Sequence, residues 1–166
     1  MAGQGVKLFL SCVSDEFGAY RDELRRKLTR PNVEVKIQED FKALGGDTLS
    51  MLEEYIEHCD AVVHFAGDMT GSTPKDFGVT ELLARRPDLK TRPPLGAALE
   101  AGAKISYTQW EAWLAIYFRR DLVIAAPGQG FVRGPKIAAT EDSEEAQAAH
   151  LKRLREIGRY AEVRFT

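Results

Sequence analysis

One glutamate stands out by its neighbours. Around Glu111 the sequence reads YTQWEAWLAIYF over residues 107–118. At helical spacing Tyr107, Trp110, Leu114 and Phe118 form one apolar stripe, and Trp113, Ile116 and Tyr117 widen it. A helix that is apolar nearly all round is buried or faces a partner. Glu111 would therefore sit among aromatic rings, next to Trp110 and one turn from Tyr107. Burial of an unpaired carboxylate is costly and pushes its pKa up unless donors hold it ionised. Such a group suits holding hydroxyls or stabilising positive charge. A structural alternative stands beside this one: Glu111 caps a loop amide or pairs with an arginine such as Arg85 or Arg119.

Other chemical groups form no comparable pattern. His58, His64 and His150 lack metal-ligand spacing, so no metal site is predicted. His64 falls inside a strand-like run and reads as a satisfied core histidine. Cys12 has no evident base beside it, and burial is its expected state. Gly128, Gly130 and Gly134 miss the dinucleotide fingerprint by one place and follow the wrong strand, and no Walker A motif occurs. Asp15 and Glu16 resemble a phosphoryl-acceptor pocket, but a receiver domain needs a lysine partner that is not found.

The elements that must position Glu111 follow from periodicity. VKLFLSCV (6–13) reads as a buried strand, followed by a helix capped by Ser14 or Asp15, with Phe17, Tyr20, Leu24 and Leu28 inside. Residues 33–38 alternate like an edge strand. Residues 41–46 read as a loop. Asp47 or Thr48 caps a second helix with Leu49, Leu52, Ile56 and Cys59 inward. AVVHFA (61–66) is a third strand. Residues 67–104, rich in glycine and proline, are the least regular stretch, with a short helix at 79–86, and read as a lid, an interface or an insertion. A strong helix (105–120), a strand (121–126), a charged helix (143–157) and an alternating strand (161–165) complete the order. This alternation implies one α/β domain over residues 1–166. Its fold class is a flavodoxin-like three-layer sandwich, a five-stranded parallel sheet of order 2-1-3-4-5 with helices on both faces. Ligands of such sheets bind beyond the carboxyl ends of strands 1 and 3, here residues 11–14 and 66–68.

Composition narrows the class. The 166 residues are 44% hydrophobic with a formal net charge of -2, which suits a single core and gives no reason to expect nucleic-acid binding. Two cysteines are too few for a disulfide framework, and residues 1–7 lack the apolar core of a signal peptide. No run is long enough to span a membrane. The expectation is a soluble cytoplasmic domain.

Three segments together resemble a family: VKLFLSCVSDEFGAYRDELRRKL, QEDFKALGGDTLSMLEEYIEHCDAVVHFAGD and YTQWEAWLA. In this order they are similar to the TIR-like domains of bacterial proteins, over roughly residues 6–126. The resemblance implies cleavage of NAD+ to nicotinamide and ADP-ribose or a cyclic variant, with NAD as substrate and no cofactor. It places the catalytic carboxylate at Glu111 and an aromatic against nicotinamide at Tyr107. Ser11, Phe41, Phe65, Asp68 and Trp110 are expected around the substrate. The loop of Phe41, Leu44, Gly45, Gly46 and Asp47 is expected to mediate self-association and complete a neighbour's site. The resemblance further implies an effector module of antiviral cell suicide, activated by oligomerisation and joined to a sensor domain in a longer protein. The stretch 69–104 is longer than in compact members. Competing expectations are a non-catalytic adaptor that only self-associates, and a nucleoside N-glycosidase with Glu111 as nucleophile.

Overall fold

The structure, a computed structural model, describes residues 3–42, 47–131, 140–158 and 160–165. Five parallel strands form one sheet in the order β2-β1-β3-β4-β5, as expected. They are β1 (Val6–Ser11), β2 (Val33–Ile37), β3 (Ala61–Phe65), β4 (Asp121–Pro127) and β5 (Ala161–Phe165). Phe9, Leu10 and Ser11 are all buried, because β1 is central and its successive side chains fill opposite faces. The chain is an α/β sandwich of the flavodoxin-like, doubly wound type.

The helices are α1 (Ser14–Leu28), α2 (Gln38–Lys42), α3 (Thr48–His58), α4 (Asp76–Arg85), α5 (Leu95–Glu100), α6 (Tyr107–Tyr117) and α7 (Glu141–Ile157). A 3₁₀ turn, Pro87–Thr91, links α4 and α5. The two faces are coated unequally. Phe17, Tyr20, Leu24 and Leu28 of α1 cover one face with Phe65, Val35 and Ile37. The other described helices share a larger core on the opposite face. Among the described residues no helix is long and apolar enough to cross a membrane.

Four local expectations are corrected. The cap of α1 is Val13, with no side-chain bond; its carbonyl accepts from Glu16 and Phe17, while Ser14 turns to Arg21 and Glu39. The segment after β2 begins as α2 rather than a loop, because Phe41 has a pocket to fill against Phe9 and Tyr55. The helix of residues 105–120 starts only at Tyr107, where Ser106 and Gln109 close a capping box. The stretch 67–104 is ordered by α4, the 3₁₀ turn and α5, with Leu82, Leu89 and Leu95 in the same core as α6. Asp47 caps α3 through Leu49 N, and Leu49, Leu52, Ile56 and Cys59 are fully buried.

That last stretch explains α6. The helix lies on β1, β3 and β4 with α3 alongside. Its outer side is covered by α4–α5: Tyr117 Oη donates to Asp88 at 2.7 Å, Arg92 stacks on Tyr117, and Arg86 stacks on Phe118. Apolar residues all round are what a helix wrapped on every side requires. Each large side chain so buried contributes about 1.5–3 kcal/mol.

Candidate active site

A cleft of about 580 Å³ opens beyond the carboxyl ends of β1 and β3, where the winding reverses. Residues 12–15 after β1, α2, the loop 69–72, the first turn of α6 and the start of α7 form its walls. Hydroxyl side chains recur in the lining, with Ser14, Thr70, Ser72, Tyr107, Thr108 and Ser143 among them. Asp15, Glu39 and Lys42 supply its charged groups.

The walls are tied by specific bonds. Glu16, in the first turn of α1, is 3% exposed and accepts from the backbone N–H groups of Asp68 and Met69, both at 2.9 Å. Gly67 immediately precedes these amides, and a Cβ there would lie 2.1 Å from Glu16 Oε1. Ser143 of α7 donates to Asp68 O and accepts from Thr70 N. Thr108 donates to Thr70 O at 3.0 Å, and Tyr107 N donates to Ser72 O. Across the cleft, Arg21 is 7% exposed and its Nη1 reaches both Glu39 oxygens, at 2.8 and 2.9 Å. Burial alone would raise the Glu39 carboxyl; hydrogen bonds from Ser14 and Arg21 outweigh it and hold the group below its ordinary value.

Glu111 lies one turn deeper along α6 than the Tyr107 and Thr108 walls. Helical side chains lean toward the N-terminus, so its carboxyl sits beneath that turn, under the cleft floor. It is 0% exposed, and neither oxygen meets a donor in good hydrogen-bond geometry, although the Ser11 hydroxyl lies close enough to favour the charged form. Burial pushes its pKa from the ordinary 4.5 up to about 8. The Ser11 hydroxyl opposes that rise most, Glu39 adds to it, and Lys42 and Arg21 oppose it weakly. The arginine-pairing alternative fails: Arg85 bonds Glu53 through Nε and Nη2, and Arg119 is exposed. Cys12 is buried nearby, and burial holds its thiol protonated with a pKa pushed up to about 12.

The other site expectations separate. Ser11, 1% exposed, faces the Glu111 side, and Tyr107 lines the cleft half-buried. Phe41 packs inward on Phe9 and Tyr55 and is no cleft wall. Phe65 lies on the α1 face, against Phe17 and Phe165. Asp68 faces a separate hollow with Arg155 and Arg164. Trp110 is fully buried, and its ring borders a third hollow between Val79 and Leu99. Of the expected assembly loop, Phe41 and Asp47 are held in the fold, and Leu44, Gly45 and Gly46 lie outside the described residues.

Sequence reasoning missed several groups here. Glu16, Arg21, Glu39, Thr108 and Ser143 shape the site although they lie far apart in the chain. The one available signal was spacing: Ser14 and Arg21, seven apart, share a helix face. The histidines also looked scattered. In the fold His64 and His150 meet, with Nε2 atoms 3.2 Å apart. No known protein family, no curated protein and no solved structure matches this chain.

Proposed function

We propose that this chain is a TIR-like NAD+ glycohydrolase of the cytoplasm in which Glu111 serves the ribosyl centre. One observation carries the reading: a fully buried carboxyl with no donor in good hydrogen-bond geometry, on the helix whose first turn lines the cleft and within reach of the charges of Glu39 and Lys42 in its wall, at the point where α/β sheets bind ligands. A volume of about 580 Å³ suits a small-molecule ligand. A lining rich in hydroxyls suits a ribose, and Asp15 and Glu39 suit the positive charge of the nicotinamide end.

The chemistry asks little of the protein. The bond from ribose C1′ to the pyridinium nitrogen breaks with its electron pair going to nicotinamide, which leaves neutral. Positive charge then moves onto the ribose ring, as in glycoside cleavage. Water adds at C1′ and releases one proton, so NAD+ and water give nicotinamide, ADP-ribose and H⁺. An ionised Glu111 stabilises the cationic ring, and its raised pKa lets it take up the proton. The pyridinium charge, brought close, favours the ionised form. Substrate reaches Glu111 by displacing the half-buried Tyr107 side chain, and self-association is the event that favours the displaced state.

The test is nicotinamide release by the concentrated or clustered protein, with Glu111→Ala as control. The expected loss is about 10²–10³-fold, the scale for removing a group that stabilises transition-state charge. NAD+ left intact by the clustered native protein would sink the reading. The adaptor reading is favoured by one fact: Glu111 has no exposed surface, whereas Phe77 on α4 is 71% exposed and free to meet another chain. It expects self-association that is indifferent to Glu111→Ala and lost on Phe77→Ser.

A further inference from the structure

Behind Ser11 lies a line of buried polar groups on three elements. Ser11 and His64 are register partners on β1 and β3, and Ser11 Oγ is 3.0 Å from His64 Nδ1. His64 Nε2 is 3.2 Å from His150 Nε2 on α7. Both histidines are at most 1% exposed, and the His150 ring lies edge-on to Trp113. Ser11 Oγ also donates to Thr108 O at 3.3 Å.

Proton counting orients this line. Burial lowers the pKa of both imidazoles, to about 4 for His64, so each is neutral and holds one proton. Ser11 has a single O–H. A carbonyl only accepts, so the bond to Thr108 O uses that hydrogen, and His64 Nδ1 must then donate to Ser11. His64 Nε2 is left bare, and His150 Nε2 must donate to it. His150 Nδ1 becomes a bare lone pair, and it is the ring nitrogen without a partner. The opposite orientation would strand a buried N–H there instead.

We propose that His150, His64 and Ser11 form a directional relay that keeps the Ser11 hydroxyl a donor, free to turn from Thr108 O to the Glu111 carboxylate when that group ionises. His64 is then a positioning residue for Glu111, acting through Ser11. The inference rests on the reading of Glu111 as the working carboxylate, but its geometry does not. Cys12, Arg21, Glu39 and Lys42 are the titratable and charged groups that act on Glu111 besides Ser11, and His64 and then Arg153 act on His150. None of them donates a hydrogen bond to either Glu111 oxygen.

The test needs no substrate. Carboxyl ¹³C NMR, with the Glu111 signal assigned by its loss in Glu111→Gln, reads the midpoint of that one group. Ser11→Ala and His64→Leu should each raise it by about one pH unit, a tenfold change in the ionisation constant. His64→Asn, which keeps an N–H near the position of Nδ1, should restore it. Imidazole ¹⁵N shifts of the native protein should show His64 protonated at Nδ1 and His150 at Nε2. A His64 proton on Nε2, or a Glu111 midpoint unmoved in folded Ser11→Ala, overturns the relay. If His64→Leu does not fold, Ser11→Ala and the ¹⁵N pattern decide alone. NAD+ cleavage is scored separately: its absence with the relay intact defeats the glycohydrolase, and cleavage with an unmoved midpoint defeats the relay.

Discussion

Two buried glutamates on the same side of the sheet are treated in opposite ways. Glu53, on α3, is 4% exposed and receives three N–H bonds: Arg85 Nε at 2.9 Å, Arg85 Nη2 at 2.6 Å and Arg86 Nε at 2.9 Å. Glu111, on α6, is more deeply buried and receives none. Glu16 resembles Glu53, since two backbone amides fill its oxygens. Where a carboxylate serves the fold, the fold supplies donors. At Glu111 it supplies none within bonding geometry, at the one place where the sheet topology puts a ligand crevice. The difference separates a structural carboxylate from a candidate working one by their partners rather than by their burial.

The largest effect expected from this contrast is a difference in sign. Glu53→Ala strands two guanidinium groups, and should lose about 2–3 kcal/mol; the reference cost of breaking a buried pair is somewhat higher, but Arg85 and Arg86 retain side-chain exposures of 39% and 29%. Glu111→Met keeps the volume and removes an unpartnered carboxyl, and should gain about 1–2 kcal/mol. Urea unfolding of the two variants against the native chain measures both. Equal losses would erase the distinction and return Glu111 to the structural class.

A second effect is the pH at which each contribution is felt. Glu111 ionises at its ordinary 4.5 when unfolded and at about 8 when folded. Between these values the folded chain binds a proton that the unfolded chain has lost. Stability therefore falls as pH rises through that window and levels off above it. The advantage of Glu111→Met over the native chain should widen from about pH 5 to about pH 8. His64 runs the other way: 6.5 unfolded against about 4 folded means that stability is lost as pH falls from 6.5 to 4. His64→Asn should flatten that acid limb. Denaturant midpoints across the range check both slopes, and an advantage of Glu111→Met that is constant with pH would show that its carboxyl does not titrate in this window.

The same contrast marks what was legible in the sequence. The five strands, close to their bounds, and the inner face of α3 followed from periodicity, because the period of apolar residues is a local property, and the strand order followed from the alternation of strands and helices. Glu111 was also legible, because a charge inside YTQWEAWLAIYF breaks the pattern of its own helix. Its lack of a partner was not: Arg85 stood as a candidate, and only the fold sends that side chain to Glu53. The coat over α6 was hidden because Leu82, Leu89 and Leu95 are spaced by turns rather than by one helical period. Phe41 looked like a loop residue because the two glycines after it dominate the local signal, whereas its burial is decided by Phe9 and Tyr55. The Ser11–His64–His150 line joins residues 53 and 86 positions apart, a kind of proximity that spacing does not encode.

The smallest effect tests whether burial, and not pairing alone, sets the scale. Glu57 accepts from Arg86 Nη2 at 3.0 Å, a distance like those at Glu53, but its side chain is 36% exposed. Water competes for both partners there, so Glu57→Ala alone should lose no more than about 0.5 kcal/mol. Arg86 lies between the two carboxylates, bonded to Glu53 through Nε and to Glu57 through Nη2. Once Glu53 is removed, Glu57 is the remaining carboxylate bonded to that guanidinium. The second substitution should then remove more than the first experiment suggests, and the double variant should fall below the sum of the single ones by about 0.5–1 kcal/mol. A strictly additive pair would mean that Arg86 turns to solvent as soon as Glu53 is lost. The penalty at Glu53 would then belong to Arg85, and the contrast with Glu111 would rest on that one guanidinium.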